Sequence, residues 1–357
     1  MIAQSESELE NAVSRNGVDG QADHPRTIRL HTPPASVSDA KPEPEESRII
    51  RGPLAHDSWL AFNEQKFGLR PERVQYKIGN NEEAMLEAVL YLDKSGRVCH
   101  PMRNPYLPVS FVSTRTSQAH KISNQWIELA SQLADDMRGR GVLNTIGFSP
   151  NVSDIRPWQW KRFRAGVKYT CMIDVPYDES GASQDVRRKF RKCAKAGFRV
   201  ERTTDIEQAA LCLAATEERQ GYRLGISASD LILARRLLGD EAFRIYAVYA
   251  PNGEMATASI VLHQPGSQAI GWVAGSRAEY LSAGVMQFVD LYTLSDLNEA
   301  GATSLDLSGA NMETIAAPKL RLGAYLVPYY TVEAYSLRRF AKWSLNWWQY
   351  YRHDSGA

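Results

Sequence analysis

The chain has 357 residues, of which 43% are hydrophobic and 8 are Trp, and its 42 Lys and Arg nearly balance its 41 Asp and Glu. This length is roughly two to three times the commonest domain size, so two domains are expected, and the apolar fraction excludes a wholly disordered protein. No segment approaches the roughly 18 uninterrupted apolar residues that a membrane-spanning helix needs. The first ten residues carry acids where a secretory signal peptide has cations, which favours a cytoplasmic protein.

Residues 1–48 form a segment of their own, ahead of the first aromatic residue, Trp59. They contain nine acidic and five basic residues, together with much Ser, Pro, Gln and Gly. Such a segment cannot bury enough apolar surface to offset the entropy that is lost on ordering. We therefore predict a disordered tail over residues 1–48.

Strand and helix signals alternate after the tail. Asp57 can cap a helix that ends near Phe67, and apolar residues at helical spacing predict a long helix over 122–137. The other elements predicted in the first half are strands at 85–92, 97–100, 143–148 and 167–175, and a turn or helix at 157–163.

The second half repeats this order of elements. Asn252-Gly253 predicts a hairpin turn between two strands, and a helix is predicted over 285–299. Turn residues and lysines recur at offsets of about 157 to 159 residues, as in Lys161 and Lys319, so we predict a duplicated α/β unit. The other predicted elements are strands at 198–202, 244–250, 255–263, 269–275, 304–307 and 326–334, helices on both sides of 198–202, and a polar turn at 316–322.

The sequence lacks the motifs of several common classes of enzyme. It contains no glycine-rich nucleotide-binding loop, no HExxH motif and no GxSxG motif, and its seven His show no ligand spacing. The four cysteines are far apart and form no CxxC pair, so we predict small buried apolar side chains and no metal site. These cysteines are Cys99, Cys171, Cys193 and Cys212.

The sharpest local feature is a basic amphipathic helix at 185–197. Its apolar stripe consists of Val186, Phe190, Cys193 and Ala194. Its other positions carry the cations Arg187, Arg188, Lys189, Arg191, Lys192 and Lys195. These cations either form a solvated helix face or bind a phosphate-bearing substrate, a tRNA backbone or an anionic lipid.

Two further segments carry polar residues where a helix or a strand ends. Arg219 lies just before Gly221, where a helix is expected to end. Its side chain either binds an anion or interacts favourably with the negative end of the helix dipole. A predicted strand ends at Asp306 and is followed by the polar turn 308–311, at the carboxyl edge of a sheet, where ligand sites of α/β proteins cluster. Lys319 is close enough in sequence to reach the same edge. An ordinary loop is the alternative for this segment.

Together these segments resemble the FemAB/FemX-like acyltransferases, which are tandem-domain members of the Gcn5-related N-acyltransferase (GNAT) superfamily. The motifs that carry the resemblance are the basic helix ending in Lys195-Ala196-Gly197, the run Thr216-x-x-Arg219-x-Gly221, and Asp306-Leu-Ser-Gly309-Ala-Asn311 followed by Lys319 and Gly323. The resemblance covers most of residues 50–345. It implies an α/β fold of two tandem GNAT-like domains, 49–180 and a catalytic half 181–335, with mixed, mostly antiparallel sheets flanked by helices.

The resemblance also implies a reaction. An acyl or aminoacyl group would pass from acyl-CoA or aminoacyl-tRNA, neither tightly bound, to an amine of a cell-envelope precursor such as one of peptidoglycan or a polysaccharide. Lys319 matches the lysine that stabilises charge at the reacting carbonyl, and Arg219 matches an arginine that holds the phosphate of an anionic acceptor. Pro318 stands where the family usually has an aromatic residue, which leaves the donor geometry open.

Physical chemistry adds further candidates to this site. A fixed cation beside the developing oxyanion contributes roughly 3 to 4 kcal/mol, the role expected of Lys319. Asp306 is the candidate base for the amine proton, with substrate-assisted transfer as its rival. The other candidate substrate-binding residues are Arg187, Arg188, Lys192, Asn311 and Tyr106, of which Tyr106 has packing as its alternative role. The alternative function is a catalytically inactive GNAT-like module that binds an anionic polymer, a lipid surface or a protein partner.

The last segment, 336–357, is predicted to be an aromatic and basic helix. Its Trp, Tyr, Arg and Lys residues suit the interface of an anionic bilayer. Peripheral contact with the inner face of the membrane is therefore one expectation, and packing against the second domain is the other.

Overall fold

The computed structural model describes residues 51–79, 83–221 and 223–334; the predicted tail 1–48 and the predicted helix 336–357 lie outside these ranges. Among the described residues, no helix combines the length and the apolar character needed to cross a bilayer. The helices are α1 (Asp57–Phe67), α2 (Ala119–Arg140), α3 (Arg156–Trp160), α4 (Gln184–Lys195), α5 (Ile206–Gln220), α6 (Ala228–Ala242), α7 (Val285–Glu299) and α8 (Glu313–Arg321). The strands are β1 (Arg70–Ile78), β2 (Ala84–Leu92), β3 (Val98–Cys99), β4 (Val109–Val112), β5 (Ile146–Gly147), β6 (Phe163–Asp174), β7 (Arg199–Thr203), β8 (Phe243–Tyr249), β9 (Met255–Leu262), β10 (Gln268–Ser276), β11 (Ser304–Asp306) and β12 (Tyr325–Ala334).

Most predicted elements are present where the sequence patterns place them. The helix α7 has the predicted bounds, and α2 extends the predicted long helix by a few residues at each end. The strands β8 and β9 pair across the Asn-Gly turn, where Gly253 has the left-handed φ of +87° that such a turn favours. All four cysteines are free and buried, as predicted.

Three differences from the predicted elements have physical reasons. His56 caps α1 in place of Asp57, because its Nδ1 accepts a hydrogen bond from the backbone N–H of Ser58 at 3.3 Å. The predicted turn at 316–322 is mostly helical in α8, which holds Pro318 near its end. The strand β1 was not predicted, because it is polar and its residues are exposed or half-buried; its pairing with β2 makes it a strand.

The strands form two sheets. In the first, β2 lies at the centre and pairs antiparallel with β1, β3 and β4. The second has eight strands in the order β5-β12-β6-β11-β10-β9-β8-β7, and its pairings are antiparallel except for that of β10 with β11. The prediction of mixed, mostly antiparallel sheets is confirmed.

One long strand from each half of the chain pairs with strands of the other half. β6 of the first half lies between β11 and β12 of the second, and β12 lies beside β5 of the first. The larger sheet therefore contains strands from both sides of residue 180, the predicted boundary between the domains. Gly147 pairs with Thr331, and Asp306 pairs with Met172. A shift of 159 residues carries Gly147 to Asp306 and Met172 to Thr331, so the two pairings are equivalent contacts of a repeated unit. The predicted sequence repeat is therefore a structural repeat with exchanged strands.

Three apolar cores hold these layers together. One packs the smaller sheet against α2, and the other two cover the opposite faces of the larger sheet, under α5 and α6 and under α4 and α7. The helix α1 comes first in sequence, yet its Trp59 and Phe62 join the core beneath α5 and α6. The Trp59 ring lies 5.0 Å from that of Phe62 and 5.3 Å from that of Trp272 on β10. This aromatic cluster anchors α1 to β10.

Candidate active site

A cavity opens where β10 and β11 part. The two strands pair in parallel over only three residues each, 268–270 and 304–306, and β10 then continues to Ser276. Gly271 lies at the parting, and a Cβ there would be 3.3 Å from the carbonyl oxygen of Asp306. Glycine at this position lets the two backbones approach closely just before they diverge.

The cavity has a volume of about 610 Å³ and takes its walls from both halves of the chain. The first half supplies a loop at 103–106, and the second supplies β10, α7, α8 and the loop 307–309. The side chains that line it include Arg103, Tyr106, Lys189, Trp272, Met286, Gln287, Asp290, Ile315, Pro318, Lys319 and Tyr329.

Lys319 reaches this cavity from α8. Its Nζ donates hydrogen bonds to the carbonyl oxygens of Leu307 at 2.8 Å and Gly309 at 3.1 Å, and also to that of Ser308. Ser308 and Gly309 have left-handed φ angles of +57° and +46°, which turn successive carbonyl groups toward the ammonium. Burial lowers the pKa of Lys319, and the neighbouring acidic groups oppose this shift. Lys319 is therefore a cation that three carbonyl groups hold at the wall of the cavity.

Asp306 ends β11 and is fully buried outside the cavity lining. Its carboxylate accepts hydrogen bonds from the hydroxyl of Tyr106 at 2.8 Å, the backbone N–H of Ser308 at 2.7 Å and the hydroxyl of Thr170 at 2.5 Å. Burial raises the pKa of Asp306, and these hydrogen bonds act in the opposite direction. This geometry makes Asp306 a positioning residue for Tyr106 and the loop 307–309, without access to an amine in the cavity.

Asp290 supplies the only carboxylate among the described residues that line the cavity. It lies on α7, and burial raises its pKa to about 7, with Lys319 acting in the opposite direction. A carboxylate with this pKa can take up and release a proton near neutral pH. Sequence reasoning missed this residue; the available signal was an acid within the apolar run of α7.

Tyr106, predicted to line an acceptor groove, does line the cavity. Its ring packs edge-on against that of Tyr329, with centroids 5.0 Å apart. The loop that carries Tyr106 is tied to the second half, because the indole N–H of Trp272 donates to the carbonyl of Arg103 at 3.1 Å. The Arg103 guanidinium in turn donates to the carbonyl of Leu224 at 2.7 Å. The loop is thus a fixed wall.

Arg219 and Asn311 do not line the cavity. The Arg219 guanidinium donates to the carbonyl of Ser276 at 2.7 Å and to the hydroxyl of Thr216 at 3.3 Å, which links α5 to the end of β10. The Asn311 side chain accepts from the backbone N–H of Tyr169 at 2.8 Å and donates to its carbonyl at 2.9 Å. Arg219 therefore links two elements that line the cavity, whereas Asn311 links the segment after the loop 307–309 to β6.

The helix α4 has the predicted amphipathic form. Val186, Phe190 and Cys193 are buried, whereas Ala194, predicted in the same stripe, is exposed. Among the described residues, a concavity separate from the Lys319 cavity runs along this helix and is lined by Arg187, Arg188, Arg191, Lys192 and Lys195. Lys189 differs from these cations, because it lines the Lys319 cavity.

Comparison with known proteins identifies part of the chain. Residues 180–314 match the family model of the acetyltransferase (GNAT) domain, and this match ends just before Lys319. No curated protein matches the chain. Among solved structures, that of FemX is similar, with 13% sequence identity, coverage of 78% of this chain and 91% of the FemX chain, and a TM-score of 0.56.

Two other solved structures have lower scores. The C-terminal domain of a putative lysylphosphatidylglycerol synthetase from Agrobacterium fabrum is 14% identical, with 73% of this chain and 84% of that chain covered and a TM-score of 0.47. A tandem GNAT protein from the clavulanic acid biosynthesis pathway is 12% identical, with 74% and 84% covered and a TM-score of 0.42. The described residues have a fold like that of FemX, and residues 180–314 match the acetyltransferase (GNAT) domain.

Proposed function

We propose that the chain is an N-acyltransferase that moves an acyl or aminoacyl group onto an amine of a cell-envelope or polysaccharide precursor. The observation that carries this proposal is the presence of Lys319 and Asp290 in one cavity, at the parting of β10 and β11. The GNAT domain and the FemX-like fold support acyl transfer as the class of reaction.

Lys319 would stabilise the charge that develops in this reaction. The amine nitrogen attacks the carbonyl carbon of an ester or a thioester, so a C–N bond forms while a C–O or C–S bond breaks. Negative charge collects on the carbonyl oxygen, which Lys319 reaches by exchanging its longest hydrogen bond, 3.1 Å to Gly309. A donor fixed in this way contributes roughly 3 to 4 kcal/mol to transition-state stabilisation.

Asp290 would accept the proton that the amine loses. Amines are mostly protonated in neutral water, so a base has to remove a proton before the nitrogen lone pair can attack. Burial raises the pKa of Asp290 to about 7, so the carboxyl group can release this first proton to solvent. After the attack it can take the second proton from the nitrogen and pass it to the leaving thiolate or alkoxide. This role falls to Asp290 because the carboxylate of Asp306 is enclosed by its own hydrogen bonds.

Acyl-CoA is the donor that a GNAT domain implies in general, and β10 offers a surface for its extended arm. Beyond Ile270 one edge of β10 still pairs with β9, but β11 no longer covers the other edge. An extended chain that carries amide groups can bind along such an edge. Aminoacyl-tRNA stays the second donor class, which the cations of α4 support.

Incubation of the purified chain with a panel of acyl-CoAs and aminoacyl-tRNAs tests this proposal, with the intact mass of candidate amines as the readout. Lys319→Ala and Asp290→Asn should each lose transfer. Lys161→Ala, at the equivalent position of the first half, should keep it, since Lys161 pairs with Asp135 on the surface. Failure of every donor to react, with amines that still bind, would contradict an acyltransferase.

The second candidate function is a non-catalytic module that binds an anionic polymer, a lipid surface or a protein partner through α4. Its support is the cationic concavity on this helix, where the side chain of Arg188 is 80% exposed. The pair Arg188→Glu and Lys192→Glu should lower the salt concentration at which the protein elutes from heparin. The pair Lys121→Glu and Arg138→Glu, on exposed positions of α2, makes the same change in charge and should have a smaller effect. Equal elution of the two pairs would contradict docking through α4.

A further inference from the structure

An exposed apolar patch lies on the larger sheet where β6 pairs with β12. Val167 is 54% exposed, Tyr169 is 45% exposed and Leu326 is 46% exposed. Tyr169 pairs with Pro328, which is also exposed, and Leu326 pairs with Cys171. Paired residues of antiparallel strands point to the same side of a sheet, as does every second residue along a strand. The side chains of Val167, Tyr169, Leu326 and Pro328 therefore form one surface, called the β6–β12 patch below.

The same side of these strands is buried beyond each end of the patch. Phe163 and Val332 belong to the core that packs the smaller sheet against α2. Cys171, at the other end, belongs to the core under α4 and α7. The continuous pairing of β6 with β12 places these three residues on the side of Val167 and Tyr169. The patch is thus an exposed apolar gap between two covered stretches of one sheet face, and such surfaces mark interaction sites.

The segment 336–357 begins beside this sheet face, because β12 ends at Ala334, the partner of Phe163. Its sequence predicts an amphipathic helix. The apolar stripe recurs at spacings of three and four residues and consists of Leu337, Phe340, Trp343, Trp347 and Tyr351. The other sides of such a helix carry the cations Arg338, Arg339 and Lys342. A short helix of this kind depends on packing of its apolar stripe for most of its stability.

The segment has the length that the patch requires. A helix over residues 336–351 is about 24 Å long at about 1.5 Å per residue. Residues 326–334 of β12 span about 26 Å at about 3.3 Å per residue. A helix that turns back after Ala334 and runs antiparallel to β12 therefore covers the patch as far as Leu326. Attachment to β12 also gives the segment a high effective concentration at the patch, which favours it over a separate molecule.

We propose that the segment 336–357 docks as a helix on the β6–β12 patch, with its aromatic stripe against Val167 and Tyr169. Three properties identify this occupant, namely a start beside the patch, a matching length and a complementary apolar surface. The docked helix also lies near the start of α8, because Asn311, just before α8, is hydrogen-bonded through its side chain to the backbone of Tyr169. Docking does not depend on the proposed acyl transfer.

Labelling of Val167→Cys with a maleimide, in the full chain, tests this docking, because all four natural cysteines are buried. Trp343→Asp and Trp347→Asp, made together, place charges in the apolar stripe and should undock the helix. Labelling at position 167 should then be about tenfold faster, since the docked helix has to open before the reagent reaches the thiol. Arg338→Ala and Lys342→Ala change the net charge by the same amount on the other side of the helix, and this pair should leave the rate unchanged.

The outcome of labelling distinguishes this helix from other occupants. Equal rates with and without the tryptophan pair would show that the helix does not cover the patch and would overturn the inference. Protection that increases with protein concentration would mean that a second copy of the chain covers the patch. Protection that appears only with vesicles of phosphatidylglycerol would mean that a lipid surface covers it. Each of the last two results contradicts docking within the chain.

Thermal unfolding provides a second test that needs no added thiol. Val167→Asp puts a charge beneath the docked helix, so it should lower the Tm of the natural chain. The same change should have a smaller effect in the variant with Trp343→Asp and Trp347→Asp, where position 167 is already open to water. Equal decreases in the two chains would contradict docking.

Discussion

The hydroxyl of Tyr106 donates a 2.8 Å hydrogen bond to the carboxylate of Asp306, which lies 200 residues further along the chain. Tyr106 belongs to a loop of the first half, and Asp306 ends β11 in the second half. Both side chains are buried, so neither can replace its partner with bulk water. This bond keeps the loop of the first half in place as a wall of the Lys319 cavity.

Tyr106→Phe should lower the free energy of unfolding by about 1–3 kcal/mol, because Asp306 loses one of its hydrogen-bond donors inside the protein. The packing of the ring against Tyr329 is retained, so the change isolates the hydroxyl. Urea denaturation measures the effect. Tyr169→Phe is the matched control, since Tyr169 is 45% exposed, and should change stability by less than about 0.5 kcal/mol. An equal decrease in the free energy of unfolding in the two variants would show that the buried hydrogen bond does not stabilise the protein.

Lys319→Ala should reduce kcat for acyl transfer by about 10²- to 10³-fold, the usual effect of removing one donor to a developing oxyanion. Binding of the acceptor should change much less, because the charge acts on the transition state. Circular dichroism has to accompany the assay, since this lysine also holds the carbonyl groups of the loop 307–309. A loss of activity that merely follows a loss of folded protein would argue against a catalytic role.

The pH dependence of transfer should report the ionisation of Asp290. Burial raises the pKa of Asp290 to about 7, and only the ionised form accepts a proton from the amine. The value of kcat/KM should therefore rise about tenfold per pH unit below neutrality and level off above it. Asp290→Asn should abolish this rise together with most of the activity. Glu299→Gln changes an exposed acid on the same helix and should leave the profile as it is.

The same carboxyl group should reduce stability as the pH increases. Its pKa in the folded protein lies above the ordinary value of 3.8, so the folded state binds the proton more tightly than the unfolded chain does. The contribution of Asp290 to stability is therefore lost between about pH 4 and pH 7. Urea titrations should find Asp290→Asn more stable than the natural chain at about pH 8, with a smaller difference at about pH 4. A difference that does not change with pH would exclude a buried charge at this position.

Gly275→Ala should destabilise the protein by about 1–3 kcal/mol, through overpacking between β10 and α5. A Cβ at this position would lie 2.6 Å from the Cα of Leu213, which is helix backbone and cannot move aside alone. Gly139→Ala is the control, because a Cβ there meets nothing within 4 Å in α2 and should stabilise by about 0.5–1 kcal/mol. Thermal unfolding of both variants measures the contrast. The same sign of change at both positions would contradict the close approach.

Local pattern was sufficient to predict much of the fold, because hairpin turns and amphipathic helices depend on residues near one another in sequence. The Asn252-Gly253 turn, α7 and the repeat offset are examples. The polar strand β1 escaped prediction, because its pairing with β2 defines it and its own alternation does not.

The candidate site was harder to predict, because a motif indicates a type of residue and not the direction of its side chain. Asp306 has the sequence context of a base, yet β11 directs its carboxylate toward Tyr106 and Thr170. Asp290 has the context of a helix core, yet packing of α7 places it at the cavity with Lys319. Only the placement of the elements in space distinguishes these two acids.

The exchange of β6 and β12 has a consequence for how such a protein is made. A ribosome completes β5 and β6 long before it reaches β11 and β12, the strands with which they pair. Until then β6 presents unpaired backbone groups, the kind of edge on which nascent chains aggregate, and pairing between distant parts of a chain forms slowly. A fragment limited to the second copy would lack the strand between β11 and β12. The duplication has therefore produced two copies that can diverge in sequence but have to fold as one unit.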